Sequence, residues 1–175
     1  MELEELISLY GEKLLRYATS ILYSYSDAED AVQDVFISYM QNNNKHEISN
    51  ASAWFYRVTY NHCLNKIKAA KRRRLVFFSD TKEEPMVHME DDLALPEIMQ
   101  ALKPLTPQER ALLYGRAMNE QSYDELSQIM GVSATALRKQ YERIKKKAAK
   151  YLRVKGYGSP SSEPTQCKKE RSWTF

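Results

Sequence analysis

Apolar side chains recur at three- and four-residue steps through the first half of the chain, the spacing that places them on one face of an α-helix. The first helix has this stripe at Leu3, Leu6, Ile7, Tyr10, Leu14, Tyr17, Ala18, Ile21 and Leu22. A capping box of Ser26 and Glu29 is expected to open the second, whose inner side carries Ala31, Val32, Val35, Phe36 and Tyr39. After the polar loop 41–50, a third helix is predicted from about Ala51 to about Arg73, since no proline occurs before Pro85.

The helical spacing of apolar residues is absent between residues 75 and 95, where acidic residues and Pro85 predict a flexible linker. Helical signals then return. Thr106 and Glu109 form one capping box and Ser122 and Glu125 form another. The helix that starts at the second box should stop at Gly131, and a last helix, capped by Ser133, should run to about Arg153.

These elements predict an all-α protein of two small helical domains joined by an acidic linker. The predicted boundaries are 1–74 for an N-terminal helical bundle, 75–95 for the linker, 96–155 for a C-terminal helix-turn-helix bundle and 156–175 for a flexible tail. Only 5 glycines in 175 residues argue against a turn-rich sheet fold and against glycine loops that cradle phosphates.

Composition excludes several classes of protein and site. No apolar run approaches the ~18 residues of a membrane span, and the acidic start MELEEL differs from a secretory signal. The two cysteines, Cys63 and Cys167, lie far apart and outside any zinc-ligand spacing, and the three histidines are scattered. We therefore expect a cytoplasmic protein with no metal and no cofactor.

The net charge of +3 conceals a strong segregation along the chain. Residues 57–74 carry seven bases and no acid, and residues 133–155 carry nine bases and one acid. Residues 75–100, which contain the linker, carry seven acids and one base. Two basic islands in an otherwise acidic chain predict two contacts with a polyanion.

The strongest local signal lies in residues 122–147, where a short helix, the turn GVS and a basic second helix follow the pattern of a helix-turn-helix. A buried side is expected from Leu126, Ile129, Val132, Leu137, Tyr141 and Ile144. The second helix should point Thr135, Arg138, Lys139 and Glu142 outward, with Gln140 and Arg143 at its sides. Such a helix contacts bases in the major groove and neutralises phosphates. The alternative is a solvated basic helix, and the combined signals favour DNA binding.

Two further clusters leave their interpretation open. In residues 51–74 aromatic and basic side chains alternate, which suits stacking on single-stranded nucleic acid, although aromatics at helical spacing also serve as core. Asp27, Asp30 and Asp34 share one side of the second helix. They could ligate Mg²⁺, but the domain is too short to enclose an enzyme cavity, so a protein-binding or solvated surface is favoured.

The order of four segments resembles the extracytoplasmic-function sigma factors, the two-domain branch of the bacterial sigma-70 family. These segments are DAEDAVQDVF (27–36), AWFYRVTYNHCLNKIK (53–68), LTPQERALL (105–113) and SYDELSQIMGVSATALRKQYERIKKK (122–147). The resemblance covers about residues 3–153. It implies a protein without catalysis of its own that binds core RNA polymerase and promoter DNA, and that is held inactive by an anti-sigma factor.

The resemblance also implies roles for particular residues. The polymerase-binding set would be Asp27, Asp30, Gln33, Asp34 and Phe36. The set that opens the −10 element and captures an extruded base would be Ser49, Asn50, Trp54, Arg57 and Asn61. The −35 element would be bound in duplex form by Thr135, Arg138, Lys139, Gln140 and Arg143. The alternative function is a stand-alone helix-turn-helix regulator with a sensing or dimerising N-terminal domain.

Overall fold

The computed structural model describes residues 3–42, 50–77 and 96–154, with side chains described for 3–42, 50–73 and 99–154. Within these ranges every regular element is an α-helix, so the predicted all-α class is confirmed. The helices are α1 (Leu3–Leu22), α2 (Tyr25–Gln41), α3 (Ala51–Phe77), α4 (Pro96–Leu102), α5 (Pro107–Ala117), α6 (Tyr123–Met130) and α7 (Ala134–Val154).

Helices α1 to α3 pack against one another as an N-terminal bundle. Tyr17 and Phe55 are the largest side chains that it buries completely. Ile7, expected in the apolar stripe of α1, is instead 45% exposed. Its neighbour Leu6 is fully buried, and successive helix positions point about 100° apart, so Ile7 falls at the edge of the stripe.

The start of α2 differs from the predicted capping box. Ser24, not Ser26, is the N-cap: its backbone is extended and its hydroxyl accepts a hydrogen bond from the Asp27 N–H at 3.3 Å. The preceding Tyr23 has a positive φ of 60°, which ends α1 and leaves Ser24 as the first residue able to cap. Ser26 and Glu29 therefore lie inside the helix.

Helix α3 is longer than predicted. It continues to Phe77, beyond the expected end near Arg73, so residues 75–77 are helical where the linker was expected to begin. No proline or glycine occurs here to stop the helix, and Pro85 lies further along. The rest of the predicted linker and the tail 156–175 lie outside the described residues.

The caps predicted for the C-terminal bundle, α4 to α7, are confirmed. Thr106 and Glu109 form a complete capping box, with Pro107 as the first residue of α5. Ser122 and Glu125 form the second box, at the start of α6. The N–H of Ala136 bonds the Ser133 hydroxyl at 3.3 Å at the start of α7. Gly131 ends α6 with a φ of 69°, a left-handed conformation that glycine adopts without strain.

The two bundles pack against each other, which the sequence pattern did not indicate. The main contacts join α1 to α5 and α3 to α6. At their centre, the buried Tyr17 ring lies 5.2 Å from that of Tyr56 and 6.3 Å from that of Tyr114, measured between ring centroids. A single apolar core thus passes from the N-terminal to the C-terminal bundle.

Polar groups also join the bundles where α1 ends. The Arg110 side chain donates to the Ile21 carbonyl at 3.1 Å and to the Leu105 carbonyl at 3.0 Å. Its guanidinium carbon lies 4.8 Å from the centre of the Tyr23 ring, whose hydroxyl donates to the Met99 carbonyl. Arg110 therefore satisfies a carbonyl that the end of α1 leaves without a helical partner.

Candidate nucleic-acid interfaces and acidic face

One side of α7 forms a cationic surface, the α7 face, made by Thr135, Arg138, Lys139 and Arg143, all of which are exposed. The opposite side of α7 is buried and is formed by Leu137, Ile144 and Ala148. Gln140, the remaining residue predicted to contact the −35 element, is half-buried. The helical period thus separates the buried side from the charged side as the sequence predicts.

An aromatic ring lies beside this face. The guanidinium carbons of Arg138 and Arg116 lie 5.2 Å and 5.3 Å from the centre of the Tyr123 ring. Tyr141, one turn after Arg138, meets Tyr123 edge-on with 6.1 Å between ring centroids. No sequence motif indicates a role for Tyr123, because its contacts come from two other helices.

A second surface, the α3 face, is formed by Trp54, Arg57 and Asn61, which follow one another at helical steps. Arg57 and Asn61 are exposed, whereas Trp54 is half-buried. The Trp54 ring packs edge-on against Tyr39 at 5.7 Å and Phe55 at 5.2 Å between centroids. Phe55 is fully buried core, and Trp54 lies at the edge of the core with part of its ring exposed. The core interpretation is therefore confirmed for Phe55, and stacking on nucleic acid stays a prediction for Trp54.

The two remaining residues of the predicted −10 set are placed differently. Asn50 precedes α3, and its side-chain oxygen accepts a hydrogen bond from the Ala53 N–H at 3.0 Å. Asn50 thus caps the helix that carries the α3 face. Ser49 lies outside the described residues.

The acidic face of α2 consists of Asp27, Asp30, Gln33 and Asp34, all exposed. Two of its carboxylates lie near cationic or ionisable groups of α3: Asp30 is 3.4 Å from the Lys66 ammonium, and Asp34 is 3.9 Å from Nδ1 of His62. Phe36, predicted with this set, is only 8% exposed and packs on Phe55 in the core. The described residues hold no group of three or more side chains arranged to bind a metal.

A basic groove of about 530 Å³ adjoins the acidic face. Leu22, Ile67 and Ala70 form its apolar surface, and Lys66, Lys71 and Arg73 supply positive charge, with Asp27 at one side. Lys71 and Arg73 belong to the basic run 71–74 near the end of α3, whereas Arg72 of the same run is exposed outside the groove. The position of the groove shows that positive and negative surfaces meet where α2 and α3 pack.

A larger cleft of about 600 Å³ separates parts of the two bundles. Lys13 and Arg16 of α1 border it on one side, and Asn119, Glu120 and Gln121 of the turn before α6 on the other. No sequence pattern indicates this cleft, because it depends on the packing of the two bundles. Gly115 permits the close approach of that turn, because a Cβ there would lie 2.6 Å from the Gln121 amide oxygen.

The buried titratable groups belong to the core and are unreactive. Burial raises the pKa of Cys63 to about 12, and burial also raises the pKa of Tyr56 to about 12. Cys63 is therefore a protonated apolar residue on α3. Among the described helices, none has the length and apolar character to cross a membrane.

Two family models match the chain. Residues 6–73 match Sigma-70 region 2, and residues 95–147 match Sigma-70, region 4. The chain is also 24% identical over 158 residues to the ECF RNA polymerase sigma factor SigE of Mycolicibacterium smegmatis, covering 85% of this chain and 61% of that relative. The chain thus spans less than two thirds of the length of this curated relative.

Solved structures share the fold at low sequence identity. The sigma factor RpoE of Bartonella quintana, in complex with the anti-sigma factor NepR, has a TM-score of 0.74 at 21% identity, covering 86% of this chain and 96% of that one. CnrH, in complex with the cytosolic domain of CnrY, has a TM-score of 0.63 at 19% identity, with coverages of 87% and 88%. With Sigma-70 regions 2 and 4 matched in order over residues 6–73 and 95–147, the chain belongs to the sigma-70 family.

Proposed function

We propose that this chain is a sigma factor that binds core RNA polymerase and directs promoter-specific initiation of transcription. Residues 1–74 would bind the polymerase and melt the −10 element, and residues 96–155 would recognise the −35 element. The protein would act in the cytoplasm, where polymerase and promoter DNA are found, and would have no catalytic activity of its own.

The observation that carries the proposal is the presence of two different cationic faces within the segments that match regions 2 and 4. The α7 face is exposed and polar throughout. The α3 face combines exposed cationic and amide groups with a half-buried tryptophan ring. Duplex and unpaired DNA require these two kinds of surface, because only unpaired bases offer their ring faces.

For the −35 duplex, the α7 face supports a division between base contacts and phosphate contacts. Thr135 and Arg138 lie in the first turns of α7, the part of a recognition helix that approaches base edges. Arg143 lies further along and would neutralise phosphates, as would Lys139. A bidentate arginine contact with guanine is worth about 1–3 kcal/mol of discrimination against a wrong base.

For the −10 element, the α3 face supports capture of an unpaired base. Extruding a base from the duplex costs a few kcal/mol. Stacking on a ring such as Trp54 returns about 1–3 kcal/mol, and Arg57 can hold the adjacent backbone. The contacts of Trp54 with Tyr39 and Phe55 fix the ring before DNA arrives, which lowers the entropy lost on binding.

For the polymerase, the acidic face supports docking on a positively charged surface. Its carboxylates are more than half exposed even where they pair, with 62% of the Asp30 side chain and 53% of the Asp34 side chain accessible. Complementary charge accelerates association and fixes orientation. Phe36 would contribute indirectly, because it packs against Phe55 beneath α2.

An anti-sigma factor is a further proposed partner. RpoE and CnrH, which share the fold, were solved in complexes with the anti-sigma factor NepR and with the cytosolic domain of CnrY. A protein of that class that covers the α3 face or the acidic face would prevent the contacts proposed above. Purification of the tagged chain from its own cells, with identification of stoichiometric partners, would test this proposal.

The decisive experiment is run-off transcription by purified core polymerase on a library of genomic fragments, with and without the chain. Promoter-specific transcripts that require the chain are expected. Asp34→Arg should abolish both transcripts and co-purification with core polymerase, whereas Glu4→Arg, an equal charge change at an exposed position of α1, should retain them. Duplex binding without any chain-dependent transcript would instead identify a stand-alone helix-turn-helix regulator.

A further inference from the structure

The Tyr123 ring is placed to control the orientation of Arg138. We propose that Tyr123 is a positioning residue for −35 recognition, which holds the Arg138 guanidinium in the orientation from which it contacts the duplex. This inference rests on the proposed −35 function of the α7 face. It adds a residue of α6 that no motif assigns to DNA binding.

The geometry places a cation over an aromatic ring. The guanidinium carbon of Arg138 is 5.2 Å from the Tyr123 ring centroid, within the ~6 Å at which the ring quadrupole attracts a cation. Arg138 is exposed, and no hydrogen bond or ion pair joins it to any other residue in the described ranges. The ring therefore orients the side chain while its N–H donors are left available for a base.

Tyr123 is itself held firmly. It is the first residue of α6, directly after the N-cap Ser122, whose backbone N–H donates to the Glu125 carboxylate at 2.7 Å. On the other side of the turn, Arg116 donates to the Gln121 carbonyl at 3.2 Å and lies over the same ring at 5.3 Å. A fixed backbone beneath the ring makes it a stable platform for a mobile side chain.

Arg138 gains more from such a platform than the other cations of the α7 face. A free arginine side chain loses much rotamer freedom when it binds, and a side chain already held in place loses less. Arg143 has the same chemistry on the same helix, but in the described part of the chain no ring lies under its guanidinium. Arg143 is therefore the internal control: substitution of Tyr123 should leave the contribution of Arg143 to duplex affinity unchanged.

The test uses the full chain assembled with core polymerase and a pool of duplexes in which the region upstream of the −10 element is randomised. Sequencing of bound and unbound fractions gives the preference for each base at each position. Tyr123→Leu should reduce the preference at the positions affected by Arg138→Ala by about two- to fivefold, the range that a cation–ring contact supports. Tyr123→Phe, which keeps the ring, should change it by less than about twofold.

A double substitution separates positioning from general stability. Once Arg138 is alanine, Tyr123→Leu should cause no further loss at those positions, because its effect passes through Arg138. Thermal unfolding would verify that each variant folds, and Tyr123→Met would replace Tyr123→Leu if the latter unfolds.

Two results would overturn the inference while leaving the −35 function intact. One is an equal loss of base preference at every position, including positions that do not respond to Arg138→Ala, which would indicate a purely structural tyrosine. The other is additivity of Tyr123→Leu and Arg138→Ala. A wild-type profile with no base preference would overturn the proposed −35 function itself, so the two failures are distinguishable.

Discussion

The α3 face and the α7 face are both cationic surfaces on long helices, but they differ in how they relate to the core. Trp54 of the α3 face packs on Tyr39 and Phe55, so the residue proposed to bind a base also supports the N-terminal bundle. On the α7 face the charged residues are exposed, and the buried side of the helix is formed by other residues. Function and stability should therefore be coupled on α3 and separable on α7.

Substitution of Trp54 and of Arg138 tests that coupling directly. Trp54→Ala should lower the free energy of unfolding by about 2 kcal/mol, roughly half the cost of deleting a fully buried aromatic, since the side chain is half-buried. Arg138→Ala should change it by at most about 1 kcal/mol, because the side chain is exposed and loses only its contact with the Tyr123 ring. Urea unfolding followed by circular dichroism measures both values.

The same two variants should also differ in which step of DNA recognition they impair. Arg138→Ala should weaken −35 duplex binding, whereas Trp54→Ala should spare it and impair opening of the promoter. Trp54→Phe is the matched control, because it retains a ring and most of the packing. Equal stability losses for Trp54→Ala and Arg138→Ala would remove the distinction between the two faces.

The contact between the two bundles is expected to hold the α3 face and the α7 face in a fixed relation. Arg110→Ala should lower the free energy of unfolding by about 1–2 kcal/mol, because it leaves the Ile21 and Leu105 carbonyls without their charged donor. It should also increase the radius of gyration measured by small-angle X-ray scattering. Tyr23→Phe, which removes only the bond to the Met99 carbonyl, should have a smaller effect. Unchanged scattering with Arg110→Ala would show that the tyrosine core alone holds the bundles together.

That contact marks the limit of what the sequence predicted. Caps such as Thr106 with Glu109 are formed by residues three positions apart, so a local pattern identifies them. The bond from Arg110 to the Ile21 carbonyl joins residues 89 positions apart, and no periodicity indicates such a pair. The all-α class and the helices were thus predictable, and the packing of the two bundles was not.

The candidate site likewise combines features that follow from the helical period with contacts between helices that the sequence did not predict. The outward direction of Arg138 and Lys139 follows from the helical period, given that Leu137 and Ile144 face inward. The family resemblance assigned Phe36 to the acidic set, but its side chain lies in the core, where its ring meets that of Phe55. Sequence spacing also could not show that Tyr123 would lie beneath Arg138, because that contact joins two helices.

The charges of the α7 face are expected to act independently of one another. Lys139→Ala should weaken binding to all duplexes by a similar few-fold factor and should reduce the slope of log affinity against log salt by about 0.9, as expected for one lost phosphate contact. Lys103→Ala, a charge loss at an exposed turn outside α7, is the control and should change neither quantity. Affinity measured from 50 to 200 mM salt supplies the slope. A base-specific loss with Lys139→Ala would assign this residue to base recognition instead.

The ion pair between Glu109 and Lys147 attaches α7 to α5. Burial raises the pKa of Glu109, but the Thr106 backbone N–H and the Lys147 ammonium, 2.9 Å away, outweigh it, so the net pKa lies below its usual value. A carboxyl with a lowered folded pKa adds stability above its unfolded pKa of about 4.3, and that stability is lost as the pH falls through the folded value. Glu109→Gln retains an N3 residue that can cap but removes this titration. The variant should be less stable than the wild type by about 0.5–1 kcal/mol at pH 7, the range for a partly exposed pair, and the difference should shrink below about pH 4.

Glu125→Gln, in the capping box of α6, is the matched comparison. The Ser122 backbone N–H lowers the pKa of Glu125, and no lysine contributes, so a smaller difference is expected. A constant gap between Glu109→Gln and the wild type from pH 7 to pH 3 would show that the Lys147 charge does not anchor α7, and that packing alone determines the position of the α7 face.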